Sequence, residues 1–466
     1  MASTPLPTTR MVASWISGLR HQDVPQPVRE ALRRLTLDTI VDALFGRDQP
    51  WTEAVRSWAQ LAAPVPGARR ARLWGEDDTR LLRPADAALV NGTAAHAYEL
   101  DDYHNAKLHP GAVVIPAAFA LAETLDASGE RLETAIAAGY EVMIRSALAL
   151  GPGPARLRGW HLTAVCGPLG AAAAAAVLLG LDEERTAWAL GLAGTQSGGL
   201  FAFTADGTAS KRFHPGRAAQ SGIMAAELAE LGLSGPTVIY EAADGGLLNT
   251  FVDKADAAQL TDGLGQTWHA ADTSFKPYSC CGSLHSNVDA ALALRPRWRK
   301  GGRVRVGLAK VVDVQCGYDY SAGSELNAQM SARYCVAAAL LDGAVLPAQF
   351  APARIADAAI TQLAQDLEIV HDPELDKLYP VHFAAWVDCE VEGGKLERFS
   401  LNDPSGSPLN PLMQQSLQHK YLTLATPILG EPKTKALAVM VTDLHKHSAR
   451  DVLLAAIAPA QAKKRH

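Results

Sequence analysis

Residues 162–181 of this chain read LTAVCGPLGAAAAAAVLLGL and contain no charged side chain. A helix of this length would suffice to cross a bilayer. However, Pro168, three glycines and the alanine run at 171–176 make its transfer into lipid less favourable than that of a leucine-rich segment. We therefore predict a helix that is buried among other helices of a globular fold.

Alanine-rich segments with helical periodicity surround this stretch from about residue 8 to residue 265. We predict a helix that begins at Pro116 and ends before Gly129, because proline favours the first turn of a helix. Residues 130–150 are apolar around most of the helix circumference, so this helix must also be buried. A further helix is predicted over residues 182–194.

The pattern changes near residue 268. Apolar and charged residues alternate at 303–306 and again at 387–392, where Gly393-Gly394 follows as a hairpin signal. Residues 311–316 are predicted to continue as a β-rich run, whereas residues 334–341 are predicted to be helical. Together these patterns indicate a smaller α+β region.

The sequence therefore predicts a mainly α protein with three segments. Residues 1–267 form a large helical domain, residues 268–402 form the α+β domain, and residues 403–466 return to helix after a stretch rich in proline and glycine. With 466 residues, the chain is long enough for more than one domain.

Composition excludes several classes of protein. Hydrophobic residues make up 48% of the chain and charged residues 20%, which argues against a disordered or fibrous chain. The net charge is −6, so we expect no nucleic acid partner, and the basic end Lys463-Lys464-Arg465 is too short to change this. We also expect no membrane partner.

The cysteines indicate a reducing compartment. Six cysteines occur without the dense, regular spacing of a disulfide framework. The N-terminal residues lack the apolar core of a secretory signal. We therefore expect a cytoplasmic protein.

The sequence ELDDYHNAKLH carries the first cluster of ionisable side chains. Glu99, Asp101 and Asp102 supply carboxylates, and His104 and His109 supply imidazoles. Such groups transfer protons or bind metals. The metal interpretation lacks the His-Glu-x-x-His spacing that places two ligands on one helix face. The alternative interpretation is that this cluster has no function and is an acidic helix end with exposed histidines.

A second candidate is His161, which enters the charge-free helix at its start. Proton transfer is one interpretation of this residue. Because so much apolar surface follows it, the alternative is a histidine that serves only in the core.

The third candidate is the basic segment DGTASKRFHPGR, which begins at Asp206. Lys211, Arg212, His214 and Arg217 could hold the carboxylates of a small anion through charge-assisted hydrogen bonds. The segment is not a phosphate loop, because it lacks the Gly-x-x-x-x-Gly-Lys pattern. A solvated basic turn is the alternative.

The fourth candidate, FKPYSCCGSLH, lies where the helical region gives way to the α+β region. Ligands prefer such junctions, and Lys276 could contribute a charge there. Cys280 and Cys281 are interpreted as packing residues, because an iron-sulfur cluster needs further thiolates at suitable spacing. The sequence has neither a serine-hydrolase elbow nor a Gly-x-Gly-x-x-Gly after a strand, so those enzyme classes lack support.

Several segments occur in an order that is typical of one family. They are DTI at 38–40, HAYELDD at 96–102, HP at 109–110, GYEV at 139–142, KRFHPGR at 211–217, KPY at 276–278 and LLDG at 340–343. Together they resemble the MmgE/PrpD family of 2-methylcitrate dehydratases and cis-aconitate decarboxylases. The resemblance implies a helical domain completed by the C-terminal helices, an α+β lid, and a homodimer. It also implies an active site between the domains that binds di- or tricarboxylates without a metal or another cofactor.

Five positions depart from the family pattern, and two of them are Leu100 in place of a phenylalanine and Gly111 where serine is common. Glu99 stands in place of an aspartate, Tyr103 in place of a threonine, and Cys281 where the mammalian decarboxylases carry a histidine. Tyrosine is bulkier than threonine, so the pocket is expected to be smaller or differently polar. These departures leave the substrate open.

The resemblance and the chemistry of these residues give each candidate a role. We expect Lys211, Lys276 and Arg212 to stabilise carbanion charge next to a carboxylate. His109 is the expected acid or base, and His161 is its partner or a substrate ligand. The catalytic set is predicted to be His109, His161, Lys211, Lys276 and Asp102, and the substrate-binding set to be Glu99, Tyr103, Arg212, His214, Cys281 and His285.

Asp102 and Glu99 are expected to orient the imidazoles, although Asp101 is an alternative to Asp102. The favoured reaction is a metal-independent dehydration by α-proton abstraction. Decarboxylation of a cis-aconitate-like acid, epimerisation or isomerisation, and carboxylate binding without catalysis are the alternatives.

Overall fold

The computed structural model describes residues 7–62, 65–77, 80–205, 207–379 and 381–459. Within these residues the chain forms 22 α-helices and one four-stranded sheet. The predicted mainly α class with a smaller α+β part is therefore confirmed. Asp206 and the basic end at Lys463 lie outside the described residues.

Twelve α-helices form the N-terminal part of the chain in the described residues. They are α1 (Thr8–Gly18), α2 (Gln26–Gly46), α3 (Pro50–Ala59), α4 (Pro84–Ala95), α5 (Gly111–Thr124), α6 (Gly129–Leu150), α7 (Pro152–Leu157), α8 (Leu162–Leu179), α9 (Glu183–Gly194), α10 (Ser210–Glu230), α11 (Leu247–Thr250) and α12 (Ala258–Thr261). Single 3₁₀ turns lie at His21–Asp23, Phe201–Thr204 and His269–Asp272. The helices predicted over 130–150 and 182–194 correspond to α6 and α9.

Helix α8 is the buried helix predicted from the charge-free stretch. It packs against α5, α6, α9 and α10, and all its residues except Val177 and Leu179 are buried. In the described part of the chain, α8 is the one helix long and apolar enough to cross a membrane. Its neighbours within the fold account for that apolar surface, because it is covered on every side.

Helix α5 begins earlier than predicted. The sequence predicted a start at Pro116, but the helix begins at Gly111 and Pro116 lies inside it. A proline in a helix interior removes one backbone hydrogen bond, which is unfavourable in an isolated helix. Here burial of the whole helix, from Gly111 through Ala122, outweighs that loss.

Helices α4 and α10 approach each other closely at two glycines. A Cβ atom on Gly92 would lie 2.8 Å from the Cα atom of Gly216, and a Cβ atom on Gly216 would clash with the carbonyl oxygen of Leu89. Glycine at both positions therefore lets the two backbones touch. This contact brings the first turn of α10 beside the loop that follows α4.

The α+β part contains seven α-helices and four strands. Its helices are α13 (His285–Leu294), α14 (Lys310–Cys316), α15 (Glu325–Gln329), α16 (Ala332–Asp342), α17 (Pro352–Ile355), α18 (Ala358–Asp366) and α19 (Pro373–Asp376), with 3₁₀ turns at Gly282–Leu284 and Pro347–Phe350. Its strands are β1 (Val304–Leu308), β2 (Glu368–His371), β3 (Ala385–Glu390) and β4 (Leu396–Leu401). The predicted helix over 334–341 lies within α16.

The sheet has the strand order β2-β1-β3-β4. Strands β1 and β2 are parallel, whereas β3 is antiparallel to both β1 and β4. The predicted hairpin at Gly393-Gly394 is confirmed, since it joins β3 to β4. Helices α13 and α16 pack together, and α13 also packs against β3 and β4.

The prediction of a β-rich run over residues 311–316 was wrong, because these residues form helix α14. A tertiary contact favours the helix: the Asp376 carboxylate accepts a hydrogen bond from the backbone amide of Lys310 at 2.6 Å. A carboxylate at this end satisfies a free amide and interacts well with the helix dipole. Val312 and Cys316, four residues apart, are buried on the same face.

The C-terminal helices pack back onto the N-terminal helices. They are α20 (Met413–Leu429), α21 (Glu431–Thr442) and α22 (Ala449–Ala455), with a 3₁₀ turn at Leu444–Lys446. Lys420 of α20 is buried and donates hydrogen bonds to Asp38 at 2.5 Å, to Asp42 at 3.0 Å and to the carbonyl oxygen of Leu100 at 2.7 Å. The C-terminal helices thus support the loop that follows α4, while the exact domain boundaries stay a prediction.

Candidate active site

The candidate active site is built around the loop of residues 96–110, between α4 and α5. The first turn of α8 contributes to it, as does the first turn of α10. Residues 273–281 reach the same loop from the α+β side, where Tyr103 and Ser274 exchange two backbone hydrogen bonds of 2.7 and 2.9 Å. This loop and three other segments of the chain therefore meet at the candidate site.

Asp101 lies between two imidazoles. Its carboxylate is 2.6 Å from Nδ1 of His96 and 3.4 Å from Nδ1 of His109. His96 and Asp101 are fully buried, whereas His109 keeps 15% of its side chain exposed. His109 is thus the imidazole of this group that solvent or a small molecule can reach.

Burial keeps both imidazoles neutral. It lowers the pKa of His109 to about 4, although the Asp101 carboxylate acts in the opposite direction. Burial also lowers the pKa of His96 well below its usual value, and the positive charge of Lys211 adds to this effect. Nδ1 of His109 lies 2.8 Å from the Asp102 carbonyl oxygen and must carry the proton, so Nε2 is left as a proton acceptor.

We expected the Asp102 side chain to orient the imidazoles, but it points away from them. Its carboxylate accepts hydrogen bonds from the backbone amide of Gly111 at 2.8 Å and from the Tyr140 hydroxyl at 2.7 Å. Burial raises the pKa of Asp102 to about 8. The carboxylate beside the imidazoles belongs to Asp101, which was the predicted alternative to Asp102. Asp102 contacts His109 only through its backbone carbonyl oxygen.

Glu99 binds the two lysines rather than orienting an imidazole. Its carboxylate pairs with Lys211 through one oxygen and with Lys276 through the other, at 3.0 Å for Lys276. All three side chains are buried. Glu99 has a φ of 54°, a left-handed conformation that non-glycine residues rarely adopt, and such strain is concentrated at functional sites. The two predicted lysines therefore lie side by side.

His161 immediately precedes the first residue of α8 and contacts His214. The two Nδ1 atoms are 2.8 Å apart, so one of the rings must donate a proton and the other must accept it. The centroid of the His161 ring lies 6.2 Å from that of His96, and 5.6 and 5.5 Å from those of Phe201 and Phe203. His161 therefore lies near the imidazole group and bonds to His214.

The other two basic residues of α10 have different partners. Arg212 donates a hydrogen bond to the carbonyl oxygen of Ala97 at 2.8 Å and lies over the ring of Trp51. Arg212 thus holds the site loop in place. Arg217 bonds to Gln220 and lines a surface cleft of about 720 Å³, so it does not join the group that holds Lys211.

Tyr103, Cys281 and His285 lie on the α+β side of the site. The buried Tyr103 ring packs against Gly282 and lies 6.3 Å from the ring of His285. Nε2 of His285 donates to the carbonyl oxygen of Cys280 at 3.2 Å, so this imidazole is held by the backbone. The predicted residues at the junction are therefore packed beside Lys276.

The Cys281 thiol is buried, as a packing residue would be, and it also has polar neighbours. A hydrogen bond with Cys316 lowers the pKa of Cys281 to about 6, and the positive charge of Lys276 acts in the same direction. The Gln315 amide lies 3.6 Å from the same sulfur. The positive charge of Lys276 therefore favours the thiolate form of Cys281.

His96, Asp101 and His109 are a group of possible metal ligands in the described residues, since their ligand atoms lie within 4.8 Å of one another. The Lys276 ammonium is 3.8 Å from the remaining Asp101 oxygen, and Lys211 lies close by. Positive charge at this distance opposes binding of a divalent cation. The Lys276 ammonium therefore disfavours a divalent cation at this group.

Family models match both parts of the chain. The MmgE/PrpD N-terminal domain matches residues 10–260, and the MmgE/PrpD C-terminal domain matches residues 278–446. This chain belongs to the MmgE/PrpD family. The family segments found in the sequence, from HAYELDD to KPY, are the segments that meet around the 96–110 loop.

Relatives within the MmgE/PrpD family align over almost the whole chain. The cis-aconitate decarboxylase of Aspergillus terreus is 30% identical, with 94% of this chain and 93% of the relative covered. The cis-aconitate decarboxylases of Homo sapiens and Mus musculus are each 28% identical, with 94% of this chain and 91% and 90% of the relatives covered. All three therefore share the complete two-part architecture.

Two residues at the centre of this MmgE/PrpD site were not assigned a role from the sequence. His96 was part of a family segment without a role of its own, and Asp101 was one carboxylate of the first ionisable cluster and the alternative to Asp102. The signal for His96 was its place at the end of a buried helix, five residues before a carboxylate. His104 behaves differently, since its Nδ1 accepts the Ala106 amide within a local turn.

The two aspartates predict different mutational effects. We expect Asp101→Asn to reduce kcat at least tenfold more than Asp102→Asn, because the Asp101 carboxylate lies beside both imidazoles. Asp101→Asn should also move the acidic limb of the pH profile to lower pH, since Asp101 raises the pKa of His109. Steady-state kinetics across pH would check both effects.

The stability of the Asp102 variant provides the control. A carboxyl group whose pKa rises from 3.8 to about 8 on folding stabilises the folded state at low pH and loses that contribution as the pH rises through 8. In thermal unfolding, the stability of Asp102→Asn minus that of the wild type should therefore be larger at pH 9 than at pH 5. Equal losses of kcat in the two variants would contradict the assignment of Asp101.

Proposed function

We propose that this protein is a lyase that acts on a small di- or tricarboxylate by developing carbanion charge next to a carboxylate. The observation that carries the proposal is the buried pair of Lys211 and Lys276, joined by Glu99, beside the neutral imidazole of His109. Cations and a proton acceptor in one closed site are the two requirements of this chemistry.

The lysines supply the electrostatic part of the mechanism. Burial lowers the pKa of Lys211, and the negative charge of a bound substrate carboxylate would raise it again. The developing carbanion charge would then be stabilised by the ammonium groups of both lysines. Because these groups are buried and already positioned by Glu99, little reorganisation is needed during the reaction. Their attraction for the anion is also stronger than in bulk water.

Decarboxylation of a cis-aconitate-like acid is the first candidate reaction. The relatives that align over more than nine-tenths of this chain are cis-aconitate decarboxylases, and this similarity supports the assignment. In this reaction the bond between a carboxylate and its neighbouring carbon breaks, and carbon dioxide leaves. The electron pair that stays on carbon is then neutralised by a proton.

Dehydration is the second candidate, and the state of His109 favours it. A neutral imidazole with a free Nε2 accepts a proton before it can donate one. Nε2 would take the α-proton, and the hydroxyl group would leave as water after receiving a proton. Epimerisation or isomerisation would instead return the proton to carbon, and a homologue that binds a carboxylate without catalysis would do neither.

We propose that the reaction needs no metal, because the two lysines supply positive charge at the place where a metal would act. A homodimer and a cytoplasmic location also stay part of the proposal. Light scattering of the purified chain would measure the mass in solution and test the dimer.

Proton NMR with a panel of acids tests the function. Purified protein would be incubated with cis-aconitate, citrate, 2-methylcitrate and smaller dicarboxylates, with and without prior removal of metals by EDTA followed by dialysis. We expect conversion of at least one acid at the same rate in both preparations. Loss of carbon dioxide would support decarboxylation, and a new alkene with all carbons retained would support dehydration.

The same experiment can overturn the proposal. If no acid of the panel were converted and none exchanged a proton with solvent, the protein would not be a lyase for this class of substrate. Conversion that disappeared on metal removal and returned with a divalent cation would contradict the metal-independent mechanism.

A further inference from the structure

His96 has one imidazole nitrogen with no partner. The residue caps the C-terminal end of α4 and is fully buried. Its Nδ1 atom lies 2.6 Å from the Asp101 carboxylate, whereas its Nε2 atom has no hydrogen-bond partner among the described residues. Buried polar atoms nearly always have a partner, so a group that binds in the site is the natural partner for this nitrogen.

The hydrogen bond to Asp101 determines which form of the imidazole is present. A carboxylate accepts hydrogen bonds, so Nδ1 of His96 carries the proton and Nε2 holds the free electron pair. Asp101 also stabilises an imidazolium if Nε2 gains a proton during the reaction. This pair therefore has the arrangement expected of an oriented acid or base.

The surroundings of His96 place it inside the active site. Its ring centroid is 4.8 Å from that of His109 and 6.2 Å from that of His161. The Lys276 ammonium lies 3.8 Å from the Asp101 carboxylate that bonds to His96, and Lys211 shares the Glu99 carboxylate with Lys276. His96 thus lies among the groups that would surround a bound carboxylate.

His285 also has a buried nitrogen without a partner, but its setting is different. Its Nε2 atom donates to the Cys280 carbonyl oxygen, and its ring packs against Tyr278 and Tyr103. No carboxylate orients it in the described residues. The combination of an orienting carboxylate and a free nitrogen beside the other imidazoles distinguishes His96.

We propose that Nε2 of His96 contacts the substrate and transfers a proton during the reaction, as the second proton-transfer group beside His109. This inference rests on the proposed function. In dehydration, Nε2 of His109 takes the α-proton as the C–H bond breaks. Nε2 of His96, which has taken a proton from solvent when the anion binds, gives it to the hydroxyl group, which leaves as water as the C–O bond breaks. In decarboxylation, Nε2 first takes a proton from solvent when the anion binds, and then gives it to the carbanion as the new C–H bond forms.

Two substitutions separate proton transfer from a structural role. His96→Asn keeps a donor near the position of Nδ1, and therefore keeps the hydrogen bond to Asp101, but it lacks the free nitrogen. His96→Gln places an amide near Nε2 that can bond to substrate but cannot exchange protons. We expect kcat to fall at least 100-fold in both variants, with KM changed less than fivefold.

His104→Asn is the matched control. His104 is a buried histidine of the same loop, and an asparagine can also accept the Ala106 amide there. We expect its kcat to stay within threefold of the wild type. Thermal unfolding of all three variants would show that each remains folded.

Three results would overturn this role of His96. Near-normal kcat in His96→Asn would mean that His96 only holds Asp101, and near-normal kcat in His96→Gln would mean that Nε2 only binds the substrate. In both cases the wild type would still convert the panel, so the proposed function would survive. A wild type that neither converts nor exchanges any acid would remove both proposals together.

Discussion

Replacement of His109 by asparagine is expected to reduce kcat by about 10³-fold while the protein stays folded. An asparagine amide can replace Nδ1 as a donor to the Asp102 carbonyl oxygen, so the local hydrogen bond survives. The variant lacks an exchangeable nitrogen at the position of Nε2, and loss of a general acid or base costs about 10²–10⁴ in rate. Steady-state kinetics on the acid that the wild type converts would measure the loss.

The pH profile of the wild type provides a second test of His109. Burial lowers its pKa to about 4, so the imidazole is neutral above that pH and protonated below it. A base must be neutral to act, and kcat/KM should therefore stay constant between pH 5 and 7 and fall as the pH drops through about 4. A kcat of His109→Asn within fivefold of the wild type would show that another group transfers the proton.

Loss of Lys276 should have the second largest effect. Lys276→Met removes one of the two cations that would hold the substrate carboxylate, and a hydrogen bond to a charged group contributes about 1.5–3 kcal/mol. We therefore expect kcat/KM to fall by about 10–150-fold from binding alone, and further if the charge stabilises the carbanion. The exposed Lys300→Met is the control, which should leave kcat/KM unchanged.

A stability effect must be separated from this loss of binding. Without Lys276, the buried Glu99 carboxylate keeps only Lys211, and the buried Asp101 carboxylate loses the ammonium group 3.8 Å away; a buried charge that loses its partner is strongly destabilising. The double variant Lys276→Met with Glu99→Gln removes one cation and one anion together. It should recover thermal stability relative to Lys276→Met but not recover kcat/KM, and recovery of both would mean that Lys276 has a structural role only.

Much of the fold could be predicted from the sequence because burial leaves a clear pattern. The charge-free stretch became the buried helix α8, and the alternation at 387–392 became a strand of the hairpin. The errors arose where a distant residue decides the local structure. The sequence of α14 alone does not reveal that Asp376, more than 60 residues away, caps its first turn.

The site could be predicted in part. Lys211 and Lys276 were expected to act together, and the structure places both on Glu99. The choice between Asp101 and Asp102 could not be made from the sequence, because adjacent side chains in an irregular loop point in directions that the backbone sets. The left-handed conformation of Glu99 is one such feature, and no pattern of residue types indicated it.

The basic residues of α10 also have different neighbours, which their spacing in the sequence did not indicate. Lys211 and His214 face the site, whereas Arg217 lies on the other side of α10 beside a surface cleft. Arg212 bonds to the loop itself. Helical geometry explains the division, because residues six apart need not share a face.

The most direct test of the central claim is the position of deuterium in the product when the reaction runs in deuterated water. If a carbanion forms in decarboxylation, proton NMR of the product should show one deuterium. It should lie at the carbon that lost carbon dioxide or, in an unsaturated acid such as cis-aconitate, at the far end of the double bond, because the carbanion is allylic. In dehydration, substrate recovered before completion should carry deuterium at the α-carbon. Conversion of a panel acid with no deuterium at any of these carbons would contradict carbanion formation in this site.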